Sequence, residues 1–280
     1  MGGIQVVTDS ACDLTPAQAE ERGIRVVPLT IRFGTEEFVD QIELSSKEFW
    51  DRVVTGPAMP ETSAPSLGAF QEAFLEAAEA GADGVVCVNL SSKLSATHQS
   101  ALAAAEAVAG TIPVRVVDSL TATMGEGVLV LAVADLVDEG KGLEEVAAAA
   151  EDLRADCHVY SSVGSLDYLK KGGRIGGAAH LVGSLLSIRP VIEIRDGAVA
   201  VESKQRTRAR ALQYLADKVL DAGPLVRLAV PHGMAEDIGD FLALIEKVNP
   251  LHEVIVTELG PVVGSHAGPG TLGVCYQRAR

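Results

Sequence analysis

From residue 4 to about residue 139 the chain alternates short β-rich runs with amphipathic stretches, and this alternation limits the fold more than any other feature of the sequence. Ile4 to Val7, Ile24 to Ile31, Gly84 to Val88 and Val114 to Val117 read as strands, with helices expected near 15–22, 67–80, 95–109 and 124–139. Strands separated by helices pair in parallel and carry the helices on their faces. Runs such as Val114-Arg115-Val116-Val117 do not alternate cleanly, as expected of strands covered on both faces.

The second half reads differently. Residues 188–203 alternate apolar and polar side chains around Asp196-Gly197, a dipeptide typical of two-residue hairpin turns, so antiparallel pairing enters there. Helices near 206–221 and 236–247, with strands near 225–230 and 253–257, complete an α/β layer of mixed strand direction. The 280 residues are about twice a ~150-residue domain. We therefore expect an N-terminal α/β domain, 1–155, with a mostly parallel sheet and helices on both faces, and a C-terminal α/β domain, 156–280, with a mixed sheet. The boundary is approximate, and no Pro/Ser-rich linker separates the two, so they should pack closely.

Charge and composition remove several classes of function. The 38 acidic and 23 basic residues give a net charge of −15, whose field repels phosphate backbones, so nucleic acid is not an expected partner. With 48% apolar and 22% charged residues the chain lies outside the disordered class. Cys12, Cys87, Cys157 and Cys275 are far apart, with no Cys-x-x-Cys pair, which suits reduced thiols in the cytoplasm. The histidines, His98, His158, His180, His232, His252 and His266, show no His-x3-His spacing, and no metal site is expected.

Met1 to Val6 carry neither a basic region nor an apolar core of a leader, every apolar run is too short to span a bilayer, and Val6 stands where a myristoylation signal from Gly2 needs Ser or Thr. Gly268-Pro269-Gly270-Thr271-Leu272-Gly273 fits Gly-x-Gly-x-x-Gly, but the chain ends at Arg280 without the helix and acidic residue that a dinucleotide site requires. Neither a P-loop nor a Gly-x-Ser-x-Gly elbow is present.

Two hydroxyl-rich turns precede expected helices: Thr62-Ser63-Ala64-Pro65-Ser66 before Leu67, and Ser91-Ser92-Lys93-Leu94-Ser95 before Ala96. Helix capping accounts for one such turn. Two on successive strand-helix units of one sheet would both lie at its carboxyl edge, where ligands of open α/β folds bind, and would suit an anion. Asp9 and Ser10 after the first strand, and Asp118-Ser119 after another, fall at the same edge. Asp9 or Asp118 could serve as the base of a small enzyme acting on a phosphorylated or carboxylated metabolite; the plainer role is tying a loop through backbone N–H groups. Lys170-Lys171-Gly172-Gly173-Arg174-Ile175-Gly176-Gly177 is a basic, glycine-rich turn suited to an anion or a partner surface, or simply flexible. Lys204, Arg206, Arg208 and Arg210 form a second basic run at a helix start, with Arg206 nearest the strand. The Gly- and Pro-rich stretch Gly264–Gly270 reads as a loop that can bring His266, a side chain that changes charge near neutral pH, to a cleft.

Taken together, Val7-Thr8-Asp9-Ser10, Cys12-Asp13-Leu14, Val27-Pro28-Leu29, Thr62 to Ser66, Leu90 to Thr97, Asp118-Ser119, Leu169 to Ile175 and His266 to Gly270 resemble the DegV family, in the family's order over essentially the whole chain. The resemblance implies a two-domain α/β protein, related in fold to parts of dihydroxyacetone kinase, that holds a long-chain fatty acid with its tail buried and its carboxylate in a polar cleft between the domains. For bacterial members it implies a lipid-carrying subunit, not catalytic alone and without a cofactor. It further implies a separate, dihydroxyacetone-kinase-like fatty acid kinase subunit that would make the acyl phosphate, and so a place in phospholipid metabolism. Transient membrane contact is compatible with that role. The resemblance assigns the carboxylate to Thr62 and Ser95, with Ser63 beside them, and support of phosphorylation to Arg174 and His266. Asp9, Ser10, His98, Ser119 and Arg206 are the further cleft-lining candidates. Ala96 and His98 stand where the family usually has Gly and Tyr, which bears on the preferred chain length.

Overall fold

In the computed structural model, which describes residues 3–181, 188–250 and 253–280, a four-stranded sheet runs β2 (Ile24–Val27), β1 (Ile4–Asp9), β6 (Gly84–Asn89), β7 (Val114–Asp118), with every neighbour parallel. Met1, Gly2 and His252 lie outside the described residues. All six residues of β6 are buried, as a strand covered on both faces must be. On one face Phe70 and Phe74 of α3 (Leu67–Glu79) and Ala101, Ala104 and Val108 of α4 (Thr97–Val108) pack on Val7, Val85 and Cys87. On the other lie α5 (Met124–Asp138), Val146 and Ala150 of α6 (Leu143–Leu153), and Ala19 of α1 (Pro16–Glu21).

The run read as one strand from Ile24 to Ile31 is two. β2 ends before Pro28, which has no N–H for a ladder. The chain then enters β3 (Thr30–Phe33), the centre of a small antiparallel sheet with β4 (Glu36–Val39) and β5 (Pro60–Ser63). Helix α2 (Ser46–Thr55) follows β4, started by a reciprocal cap between Ser45 and Glu48. Thr62 and Ser63 therefore sit on an edge strand of this third sheet, and the two hydroxyl-rich turns are not on successive units of the parallel sheet, as the spacing had suggested.

The second half forms a six-stranded sheet in the order β10 (Ala198–Gln205), β9 (Arg189–Arg195), β8 (Cys157–Ser162), β13 (Leu272–Arg278), β11 (Leu225–His232), β12 (Ile255–Glu258). Its neighbours are antiparallel except β11 and β12. Asp196 and Gly197 take φ of 49° and 81° in the β9–β10 turn, as a two-residue hairpin of matching twist requires. One face is covered by α8 (Arg208–Asp221) and α9 (Ile238–Val248). Gly268–Gly273 leads into strand β13 and not a helix, so the dinucleotide pattern has no structural counterpart.

Helix α5 joins the two large sheets. Every residue from Met124 to Ala134 is buried, because apart from Glu126 its sequence is apolar all round and neither side can face water. It packs on β1 and β6 of one sheet and on β8, β11 and β13 of the other, within one cluster that includes Val6, Val86, Val128, Val159 and Cys275. Among the described residues no helix is long and apolar enough to cross a membrane.

Candidate functional site

Where the sheets meet, a cavity that opens to solvent, with about 830 Å³ of empty space counted out through its mouth, has walls of apolar side chains such as Leu90, Leu94, Val159, Val163, Ile192 and Val262. Thr62, Ser95, Arg174 and His266 also line it. They arrive from four separate segments: β5, the turn before α4, the turn after α7 (Asp167–Lys171), and α10 (Pro261–Ala267).

His266 belongs to a helix and not, as its composition suggested, to a loop. Gly260 caps α10, Pro261 supplies a preset φ at its first position, and Gly268 at φ 75° ends it. The imidazole Nε2 is 2.9 Å from Thr62 Oγ1, and Nδ1 is buried without a hydrogen-bond partner. Burial, reinforced by the Arg174 charge, pushes the imidazole pKa down to about 4. His266 is therefore neutral at physiological pH, and the titration near neutrality expected from its residue type is displaced. Gly172, read from the sequence only as part of a glycine-rich turn, is a member of this site: a Cβ there would stand 2.2 Å from His266 Nδ1, so the ring needs a glycine beside it.

The Arg174 guanidinium is held by backbone carbonyls, donating from Nε to Leu94 O at 2.9 Å and from Nη1 to Gly172 O at 2.6 Å. No carboxylate pairs with it among the described residues. Its charge is thus fixed in place and left without a counter-charge. Ser95 Oγ accepts weakly from the Thr97 N–H at 3.3 Å and pairs with Thr97 Oγ1 at 2.9 Å; Ala96, the residue at the start of α4, is exposed and provides no side-chain cap. At α3 the cap is Ser66, which accepts from Ala69 N, leaving Thr62 free of capping duty.

The remaining candidates lie off the cavity wall. Ser63 and Arg206 are exposed. Asp9 is wholly buried; one oxygen accepts from Ala11 N at 3.0 Å, the other from Leu90 N at 3.0 Å and Asn89 Nδ2 at 3.2 Å, and burial raises its pKa to about 6. Asp118 accepts from Ser92 N and Leu120 N. Both are loop ties, and neither reaches the cavity as a base would have to. Ser10 Oγ accepts from Leu29 N, Ser119 Oγ accepts from Thr121 N, and half-buried His98 has its pKa lowered by burial. Among the described residues no cluster of three or more His, Cys, Asp or Glu side chains could hold a metal.

A family model described as "Uncharacterised protein, DegV family" matches residues 3–279. A DegV domain-containing protein of Streptomyces coelicolor is 38% identical over 276 residues, 97% of each chain. A fatty-acid-binding DegV family protein of Thermus thermophilus superposes with a TM-score of 0.89 at 36% identity, over 99% of this chain and 100% of that one. DegV of Bacillus subtilis, a fatty acid binding protein, gives 0.90 at 30% identity over the whole of both chains. A stearic acid-binding protein of Eubacterium ventriosum gives 0.89 at 28% identity over 98% of both.

Proposed function

We propose, on the premise that this chain belongs to the DegV family, that it is a long-chain fatty-acid-binding protein that presents the carboxylate of its cargo to a separate ATP-dependent kinase subunit. The observation that carries the reading is the asymmetry of the cavity: mostly apolar walls, and an uncompensated arginine with a neutral histidine and two hydroxyls brought together at its rim. An acyl tail gains about 0.8 kcal/mol per buried CH₂, so a C16 chain supplies on the order of 11 kcal/mol gross before ordering costs are subtracted. The tail sets affinity and the rim sets orientation. Thr62 and Ser95 hydrogen-bond the carboxylate, Arg174 opposes its charge, and neutral His266, already paired with Thr62, offers one more polar contact to the oxygen that is to be phosphorylated.

The kinase role rests on the absence of a nucleotide motif in the sequence together with the exposed basic end of α7, Lys170 and Lys171, which precedes Arg174 in the chain. Arg174 supplies permanent charge to an anion that grows during phosphoryl transfer.

Protein purified from bacteria should carry a bound C14 to C18 acid by native mass spectrometry. Mixed with the kinase subunit, ATP and fatty acid, it should yield acyl phosphate. His266→Ala should keep the bound mass yet cut acyl phosphate formation at least roughly tenfold, ~1.4 kcal/mol in the barrier. A lipid-free wild-type protein removes the binding role. Normal turnover by the variant removes His266 from the phosphorylation step.

A further inference from the structure

We infer that the cavity accepts a long-chain carboxylic acid carrying a hydroxyl partway along its chain, with Ser161 as the residue that receives it; the inference rests on the acyl-chain reading of the cavity given above.

Ser161 lies on β8 between Val159 and, just past the strand end, Val163, and all three line the cavity. Val163 packs with Leu166, Leu169 and Ile192, near the turn that carries Arg174, whereas Val159 packs with Met124 and Val128 of α5. Each step of two residues along a strand covers roughly 6.5 Å, which sets Ser161 between the rim and the inner end of the wall.

Every other hydroxyl on that wall is engaged within the protein. Thr62 meets His266, Ser95 meets Thr97, Thr123 donates to Asp13, and Thr271 donates to the Ala267 carbonyl at 2.8 Å. Ser161 Oγ has no hydrogen-bond partner among the described residues, and it stands in an otherwise apolar stretch between two valines. Across the ladder Ser161 faces Gly273, and a Cβ on that glycine would come within 2.5 Å of Ser161 Oγ. The pair is matched: β13 omits a side chain where β8 places a hydroxyl.

An unpaired hydroxyl on an apolar wall is a cost for a purely hydrocarbon tail, which would strip water from Ser161 and return nothing. A hydroxyl on the tail returns the hydrogen bond. Sites built to pair a polar group reject analogues that lack it far more strongly than apolar pockets reject extra methylenes.

The test is competitive displacement with octadecanoic acid and its positional isomers hydroxylated from C6 to C12, on the wild-type protein and on Ser161→Ala. One isomer, or two adjacent ones, should lose at least fivefold in affinity in the variant, while octadecanoic acid binds equally or more tightly. Retained octadecanoic acid binding also reports that the variant is folded. If Ser161→Ala shifts all the acids alike, or none of them, Ser161 only contacts solvent and the inference fails. If the wild-type protein binds none of the acids, it is the acyl-chain reading that fails.

Discussion

The cavity rim and the carboxylate nest behind it are both clusters of polar groups, half-buried at the rim and fully buried in the nest, yet they are finished differently. In the nest, Asp9, Asp13, Asp40 and Glu126 are each 3% exposed or less. Asp13 accepts from Gly260 N at 3.0 Å and from the Thr123 hydroxyl, its carbonyl accepts from Thr257, and Glu126 accepts from Thr8 at 3.2 Å. Burial pushes Asp13 and Asp40 up to about 7 and raises Glu126 well above its ordinary range, so near neutrality these groups shed charge by holding protons. At the rim, Arg174 cannot shed its charge and has no carboxylate opposite, and His266 is held neutral. The nest loses its charge internally, even though both Asp40 oxygens and Glu126 Oε2 lack hydrogen-bond partners, whereas the rim keeps its charge, and a cluster of the second kind is where an anionic partner lowers the free energy most. The two are also joined: Asp13 fixes Gly260, the cap of the helix that carries His266, and Thr123, a residue of the cavity wall.

The largest effect that would sharpen this contrast is a pH dependence. The Asp40 carboxyl titrates near 3.8 when unfolded and about 7 in the fold. Below pH 4 both states are protonated and its burial carries no charge penalty. From pH 4 to 7 the unfolded chain releases a proton that the fold retains, so stability falls as pH rises and then levels off. Asp40→Asn does not titrate, and its stability relative to wild type should grow by on the order of 4 kcal/mol between pH 4 and pH 8. The histidines contribute with the opposite sign, but equally in both proteins. Parallel urea-unfolding curves across that range would mean that Asp40 carries its charge without penalty.

Next in size, Asp13→Ala should lower stability by about 2–4 kcal/mol, since it orphans the Gly260 N–H and the Thr123 hydroxyl. Chemical denaturation measures this, and an unperturbed midpoint would remove Asp13 as the tie between nest and rim. The rim should respond in binding and not in stability. Thr62→Ala and Ser95→Ala should each weaken fatty acid binding by ~1.5–3 kcal/mol, with the melting temperature of the ligand-free protein unchanged. A double variant that still retains its lipid would reduce both hydroxyls to local structure.

The nest and rim were unequally legible in the sequence. Periodicity revealed the parallel sheet, and Asp196-Gly197 the hairpin, because both are local signals. The small antiparallel sheet escaped because β3, β4 and β5 are four residues each and Ile31 reads as a continuation of β2. The Ser45–Glu48 spacing could have announced α2, whereas Gly and Pro within Gly264–Gly270 disguised the end of α10 as a loop. The rim is harder still. Thr62 and His266 touch although 204 positions apart in the sequence, and nothing local separates Thr62 from Ser63 or Arg174 from Arg206; only the resemblance of the ordered set to a family did so. Gly172 and Ser161 matter through what faces them, and no sequence window shows that.

The wedge of α5 between two sheets also bears on how such a protein can diversify. A crossover that exchanged either half between relatives would confront one parent's helix with the other parent's strands. The contact at Gly125, where a single added methyl would meet Val159 at 2.2 Å, shows how little mismatch the seam tolerates. Exchange of whole halves therefore meets a steric obstacle at Gly125 and Val159, whereas change in cargo can come residue by residue elsewhere along the cavity wall, where side chains face space.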